Sequence, residues 1–286
     1  CDTSRGSCDR VSDSGRGGIS GFARLSFLAI SHPHDDHAVR FTDLFPYLSD
    51  NAAVGAAWPR LEDESWERSL NAHKHHLKGS AEAAMAEILR TWQCNPDQKW
   101  EMMRGEGKNL GVCHIKVLNP EASVNAGGFP ANINRLSTAL LIEWESCRIL
   151  LGGDVEHPDW TDIEKNGYNV EHHACKLPHH GATNAFHCSW LEGDEERFWC
   201  VTPWHAGQLP WGGGDIEKLL SKNSSLYVTS EVDMPRERQN QTAAQEDGKS
   251  MTLTADIVGD IALQPVFRPT DAYANYVALG FDSSGD

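Results

Sequence analysis

The sequence predicts an α/β chain, and three observations predict it. Short apolar runs of strand length recur along most of its 286 residues. One long stretch, 60–93, carries an apolar stripe at helical spacing. Several of the apolar runs stop abruptly in loops rich in Gly, His and Asp, and open α/β sheets place their sites just past the carboxyl ends of buried strands.

The elements follow in order. Residues 1–21, rich in Gly, Ser, Arg and Asp, read as loop. Leu25 to Ile30 reads as a strand buried on both faces, and SHPHDDH (31–37) follows at once. In 60–93, Glu62, Glu64 and Glu67 enrich the early turns, while Ala81, Ala84, Met85, Ile88 and Leu89 form the stripe. His73, His75 and His76 there read as a solvated face. Residues 111–118 alternate like a strand that Pro120 ends, and 119–133 reads as loop. Thr138 to Trp144 and Cys147 to Leu151 read as a hairpin turning at Glu145 and Ser146, its second strand running into Gly152, Gly153 and Asp154. A helix or loop covers about 158–170, with His172 and His173 exposed before the next strand. That strand, Ala174 to Leu177, ends in Pro178, His179, His180 and Gly181. Phe198 to Thr202 is a further strand, a helix starts at Asp215, and Ser225 to Ser230 is another strand. Polar residues 234–249 read as a flexible insertion, and 251–268 returns to strand-like alternation. The expected organisation is one domain over 1–268, with the 60–93 and 234–249 segments as insertions and 269–286 as a tail.

Composition narrows the classes. Hydrophobic residues are 40% and charged residues 23%, ordinary for a globular chain. No apolar run reaches the roughly 18 residues of a membrane-crossing helix, and no signal peptide is visible, which favours a cytoplasmic protein. A net charge of −16 does not advertise a nucleic-acid surface, although bound divalent cations would offset part of it locally. The eight cysteines form no C-x-x-C pair and read as buried, reduced thiols.

The chemistry concentrates in three motifs, each past a strand end: HPHDDH at 32–37, GGD at 152–154 and PHHG at 178–181. His32 and His34, two apart in extended chain, can point the same way and hold one metal. Asp36 and His37 can hold a second, and Asp154, with two carboxylate oxygens, can bridge both. His179 or His180 closes the second site. Mixed imidazole and carboxylate ligation suits Zn or Mn, with Fe as the alternative, and open coordination positions imply catalysis.

The pattern H-x-H-x-D-H, here His32, His34, Asp36 and His37, resembles the signature of the metallo-β-lactamase fold superfamily. LNP (118–120), NRLSTALLIEW (134–144), RILLGGDVE (148–156) and KLPHHGA (176–182) are similar, in order and wording, to the hydrolase domain of ComEC, the DNA-uptake channel protein, and its stand-alone relatives. The resemblance covers roughly residues 1–230. It implies a four-layer αββα sandwich, an α+β arrangement whose members usually carry several N-terminal strands before the position of Cys1, with two divalent metal ions at one edge. His32 and His34 would bind the first metal, Asp36, His37 and His179 the second, and Asp154 would bridge. His180 is the alternative ligand or a substrate contact.

Three departures accompany it. Asn132 and Asn134 stand in the loop where many members supply a third histidine to the first metal. Ala182 replaces a frequent Ser, and His205 stands in a final loop that lacks the usual Gly-His-Pro wording. His157, just after the GGD loop, is close enough in sequence to reach the site.

The expected function is a hydrolase in which two metals make water nucleophilic at neutral pH. Asp36 orients the attacking hydroxide and His180 stabilises developing charge, with Lys176 and Arg135 as candidate anion contacts. The ComEC-like wording favours a phosphodiester substrate, such as single-stranded DNA or a nucleotide. Lactone, β-lactam or thioester hydrolysis is the alternative chemistry, and a metal-binding or partner-binding module without turnover is the alternative class.

Overall fold

The computed structural model describes residues 24–58, 66–126, 129–191, 197–202, 225–228, 250–255, 261–266 and 278–279. The expectations for 1–21, Glu62, Glu64, His205, the helix at Asp215 and the 234–249 insertion lie outside the described residues. The fold mixes helices with parallel and antiparallel sheet, as expected for the α+β class. The chain divides into two compact units, Cys1–Ala56 with Glu62–Glu101, and Ala57–Leu61 with Met102–Asp286.

The first unit is a parallel sheet with helices. It runs β1 (Leu25–Ala29), α1 (Asp35–Ala38), β2 (Leu48–Ala56), α2 (Trp66–His73), α3 (Ser80–Cys94) and β3 (Lys99–Glu101), in sheet order β1-β2-β3. Parallel neighbours need long crossovers, and α1 to α3 supply them. The stripe expected on the helix is real: Ala81, Ala84, Met85, Ile88 and Leu89 of α3 are all buried. Against them lies β2, whose Ala52, Ala53, Val54 and Ala56 are almost fully buried. Trp92 ties the two together by donating its indole N–H to the Val54 carbonyl at 2.7 Å.

Two expectations change here. The helical stretch is broken by a 3₁₀ turn at Lys74–His76, and Gly79 at φ 52 starts a new helix. Also, β1 is not buried on both faces. Among the described residues it is the edge of its sheet; Leu28 is buried, Leu25, Phe27 and Ala29 are half-buried, and Ser26 is exposed.

The second unit is built on a seven-stranded mixed sheet. Its elements are β4 (Gly107–Leu110), β5 (Cys113–Asn119), α4 (Ala122–Ala126), β6 (Ala139–Trp144), β7 (Cys147–Leu151), α5 (His157–Lys165), β8 (Ala174–Lys176), β9 (Phe198–Val201) and β10 (Ser225–Val228). The order is β10-β9-β8-β7-β6-β5-β4. The expected hairpin is β6 and β7, antiparallel in register Leu140↔Leu151 to Trp144↔Cys147, with Glu145 at φ 50 in the turn. From β7 to β10 the strands are parallel, so β7 and β8 both deliver their loops to the same end of the sheet. Leu141, Leu150, Trp160, Ile163, Leu177 and Trp199 form the centre of its core. Three further strands, β11 (Ser250–Ala255), β12 (Ile261–Val266) and β13 (Ala278–Leu279), make a small separate sheet, so part of the expected 269–286 tail is strand.

His172 is 3% exposed, against the expectation from its polar neighbours. Trp190 and Trp199 pack edge-on against its ring at 5.4 and 5.1 Å. Burial lowers its pKa to about 4. The thiols of Cys113, Cys147 and Cys175 are free and buried as expected, and burial pushes the Cys200 thiol up to about 11. Cys94 departs from that expectation and is disulfide-bonded. Among the described residues, no helix is long and apolar enough to cross a membrane.

Candidate metal centre

The expected donors fall into two sets, one in each unit. In the first unit, β1 ends at Ala29 and the chain turns through 31–33 into the single turn of α1. The turn is closed by backbone bonds, His34 N–H to His32 O at 2.9 Å and His37 N–H to His34 O at 3.2 Å. Close spacing in sequence thereby becomes close spacing in space. His32 is wholly buried, and its ring lies 4.3 Å from that of His37 and 5.6 Å from that of His34, centre to centre. Asp36 places one carboxylate oxygen 2.8 Å from His34 Nδ1 and the other 3.6 Å from His37 Nε2. His32, His34, Asp36 and His37 are therefore brought together as one His/Asp group.

Ser31 belongs to this set and was not singled out. Its hydroxyl lies 2.8 Å from His37 Nδ1 and 3.2 Å from His32 Nδ1. A hydroxyl oxygen has two lone pairs and can accept from both Nδ1–H groups. With the hydroxyl as the acceptor, both rings present Nε2 with a lone pair. The other acid of the loop, Asp35, points elsewhere and accepts from the backbone N–H of Ser80 at 2.5 Å.

In the second unit, Asp154 and the two histidines come from the ends of β7 and β8. Asp154 is 2% exposed, and its backbone N–H donates to the Ser137 hydroxyl at 2.6 Å. Gly152 is required for packing, because a Cβ there would fall 2.4 Å from Pro178 Cγ. The carbonyl of Gly153 accepts from the His179 N–H at 2.9 Å. Together these contacts seat the PHHG turn on the GGD turn.

His179 and His180 take left-handed backbone, φ 44 and φ 55, and Gly181 follows at φ 75. Such a run costs about 1–2 kcal/mol for each residue bearing a Cβ. Consecutive residues in this conformation aim their side chains apart. His180 Nε2 lies 4.0 Å from Asp154 Oδ2, while His179 Nδ1 lies 3.5 Å from Glu156 Oε1. His180 Nδ1 sits 2.8 Å from the Thr202 carbonyl, which can only accept, so Nδ1 donates to it.

Glu156 is a second residue that sequence reasoning passed over, although it closes the GGDVE motif. It accepts from Asn134 Nδ2 at 3.2 Å and faces His179. Asn132 caps its own 3₁₀ turn by accepting from the Asn134 N–H at 3.1 Å, so both asparagines are held by their neighbours. His157 is exposed at the start of α5, and its ring stacks on His187 at 6.1 Å. Lys176 is half-buried at the end of β8 and Arg135 is exposed.

The donor chemistry fits a borderline divalent metal: imidazole nitrogens whose Nδ1 atoms are held by Ser31 or Thr202, beside carboxylate oxygens.

No protein-family model matches the chain, and no curated protein does. Solved structures do, among them a mutant of the CmlA beta-hydroxylase. That match has 17% identity and a TM-score of 0.38, over 72% of this chain and 36% of the other. The chain thus spans about a third of the length of that protein.

Proposed function

We propose that the chain is a metal-dependent hydrolase of the metallo-β-lactamase type, acting on phosphodiester bonds, and that both donor sets bind divalent metal. The observation that carries this reading is the first donor set: three imidazoles and the Asp36 carboxylate gathered in one turn, with Ser31 holding His32 and His37 by Nδ1. A purely structural polar turn has no need to orient two imidazoles alike. The donor count also supports it. A catalytic metal takes about three protein ligands. His32, His34, Asp36 and His37 with Asp154 and one histidine of the PHHG turn give six donors, enough for two ions.

In this reading His180, rather than the more favoured His179, is the donor of the PHHG turn, because His180 Nε2 is the ring nitrogen beside Asp154. His179 stays paired with Glu156. Bound divalent cations would supply Lewis acidity and hydroxide at neutral pH. Asp36 accepts a hydrogen bond from the attacking water and fixes its direction. Asp154, buried and with its backbone fixed by Ser137, keeps its carboxylate in place through turnover. Lys176 and Arg135 are the candidate contacts for a phosphodiester's non-bridging oxygens.

The phosphodiester assignment rests on the ComEC-like wording of four segments. It predicts Mn- or Zn-dependent cleavage of an aryl phosphodiester or of linear single-stranded DNA, abolished in Asp36→Ala. Turnover of lactones or β-lactams in its place would move the substrate class. Metal binding without turnover on either panel would leave a binding module.

A further inference from the structure

The HPHDDH loop holds two adjacent acids, and they have different partners. Asp36 faces His34 and His37. Asp35 faces the amino-terminal end of α3, a helix of fifteen residues that begins 45 positions further along the chain. The first N–H groups of a helix have no partner within it, and the helix dipole makes that end positive. A side chain on the residue before a helix usually accepts one of these N–H groups, but here that residue is Gly79. Asp35 Oδ1 takes the Ser80 N–H instead, at 2.5 Å.

Gly79 is shaped to the same contact. It sits at φ 52, and an added Cβ would lie 2.4 Å from Asp35 Oδ1 and 2.7 Å from both Cγ and Oδ2. The carboxylate therefore occupies the space where any other residue would put its side chain. Asp35 is also fixed by its backbone, since its carbonyl accepts the Val39 N–H at 3.1 Å and closes the turn of α1.

We infer that Asp35 is a positioning residue: clasped by Gly79 and Ser80 at the start of α3, it sets the angle at which the loop presents Asp36 and His37 for metal. The inference rests on reading that loop as a metal site. Asp35 stands between His34 and Asp36, so releasing its carboxylate frees both neighbours to swing. The buried face of α3 is anchored on β2, and that rigidity reaches the loop through this clasp.

The test uses the full chain, titrated with Zn²⁺ against a chromophoric chelator, with a melting curve taken for each variant. Asp35→Ala should weaken Zn²⁺ affinity ten- to a hundredfold, and Asp35→Asn, which keeps an acceptor oxygen, should stay within about threefold of the natural chain. Gly79→Ala, which evicts the carboxylate, should weaken affinity like Asp35→Ala. Folded Asp35→Ala binding as tightly as the natural chain overturns the inference, as does Asp35→Asn falling as far as Asp35→Ala. Should Asp35→Ala not fold, Gly79→Ala against Asp35→Asn decides: unequal affinities in the stated order support the clasp, and equal ones overturn it. If the natural chain binds no metal, the proposed function fails. Deuterium uptake over 31–38 then tests the clasp alone, with faster uptake in Asp35→Ala but not in Asp35→Asn supporting it, and uptake unchanged in both overturning it.

Discussion

The two donor sets are built in opposite ways. The 31–37 set is local: four donors within six positions, closed by one short turn, with Ser31 of the same loop against His32 and His37. The 152–181 set is assembled from two parallel strands and holds its histidines in left-handed backbone. A local set is cheap to form and depends on its side chains. An assembled set depends on the fit of one turn against another, Gly152 against Pro178 above all.

That contrast gives predictions of decreasing size. The largest concerns acid, and it acts on the assembled set. His172 stands just before β8, the strand that delivers the PHHG turn, and its pKa is lowered to about 4 in the folded chain. The unfolded chain takes up a proton near pH 6.5 that the folded chain refuses until about pH 4. Stability is therefore full above about pH 6.5 and falls as pH drops through that window, by about 3 kcal/mol. Melting curves of the metal-free chain between pH 7 and 4 read this loss. His172→Phe should flatten the slope, and an unchanged slope would remove His172 as its source.

Next is the local set. Ser31→Ala should cost ten- to a hundredfold in metal affinity while leaving the melting temperature nearly unchanged, because the hydroxyl orients rings without filling core. A competition titration beside a melting curve separates the two effects. Equal affinity would mean that the rings are held by packing alone.

Gly152→Ala should behave differently, losing stability and metal together. Its Cβ cannot coexist with Pro178 as placed, and overpacking of this kind costs about 1–3 kcal/mol. A variant that loses metal with its stability intact would show that the turn yields without straining the sheet.

The smallest effect distinguishes the two histidines. His179→Gly removes one left-handed penalty and should raise stability by about 1 kcal/mol, a few degrees of melting temperature, with metal binding kept. His180→Gly should lower metal binding. The reverse assignment would return the ligand role to His179.

The same contrast explains what could be read from sequence. The local set is contiguous, so its donors are legible in seven letters. The β6–β7 hairpin is equally plain, with apolar runs on both sides of a two-residue turn. What failed to show were features made by distant partners. Nothing in SHPHDDH separates Asp35 from Asp36, because the partner of Asp35 is 45 residues away. His172 looks exposed beside Glu171 and His173 until Trp190 and Trp199 close over it. Strand β2 went unnoticed because its apolar half is Ala and Gly with one Val, residues of low strand propensity apart from that Val, and its burial comes from α3. Strands β3 and β4 are three and four residues long, too short to show alternation.

The central claim is that both donor sets bind metal. Elemental analysis of the purified full chain, alongside His37→Ala and Asp154→Ala with their folds checked by melting, tests it most directly. The account predicts two divalent ions per natural chain and a loss in both variants, including the one altered only in the assembled set. An Asp154→Ala chain that keeps its full complement of metal would contradict it.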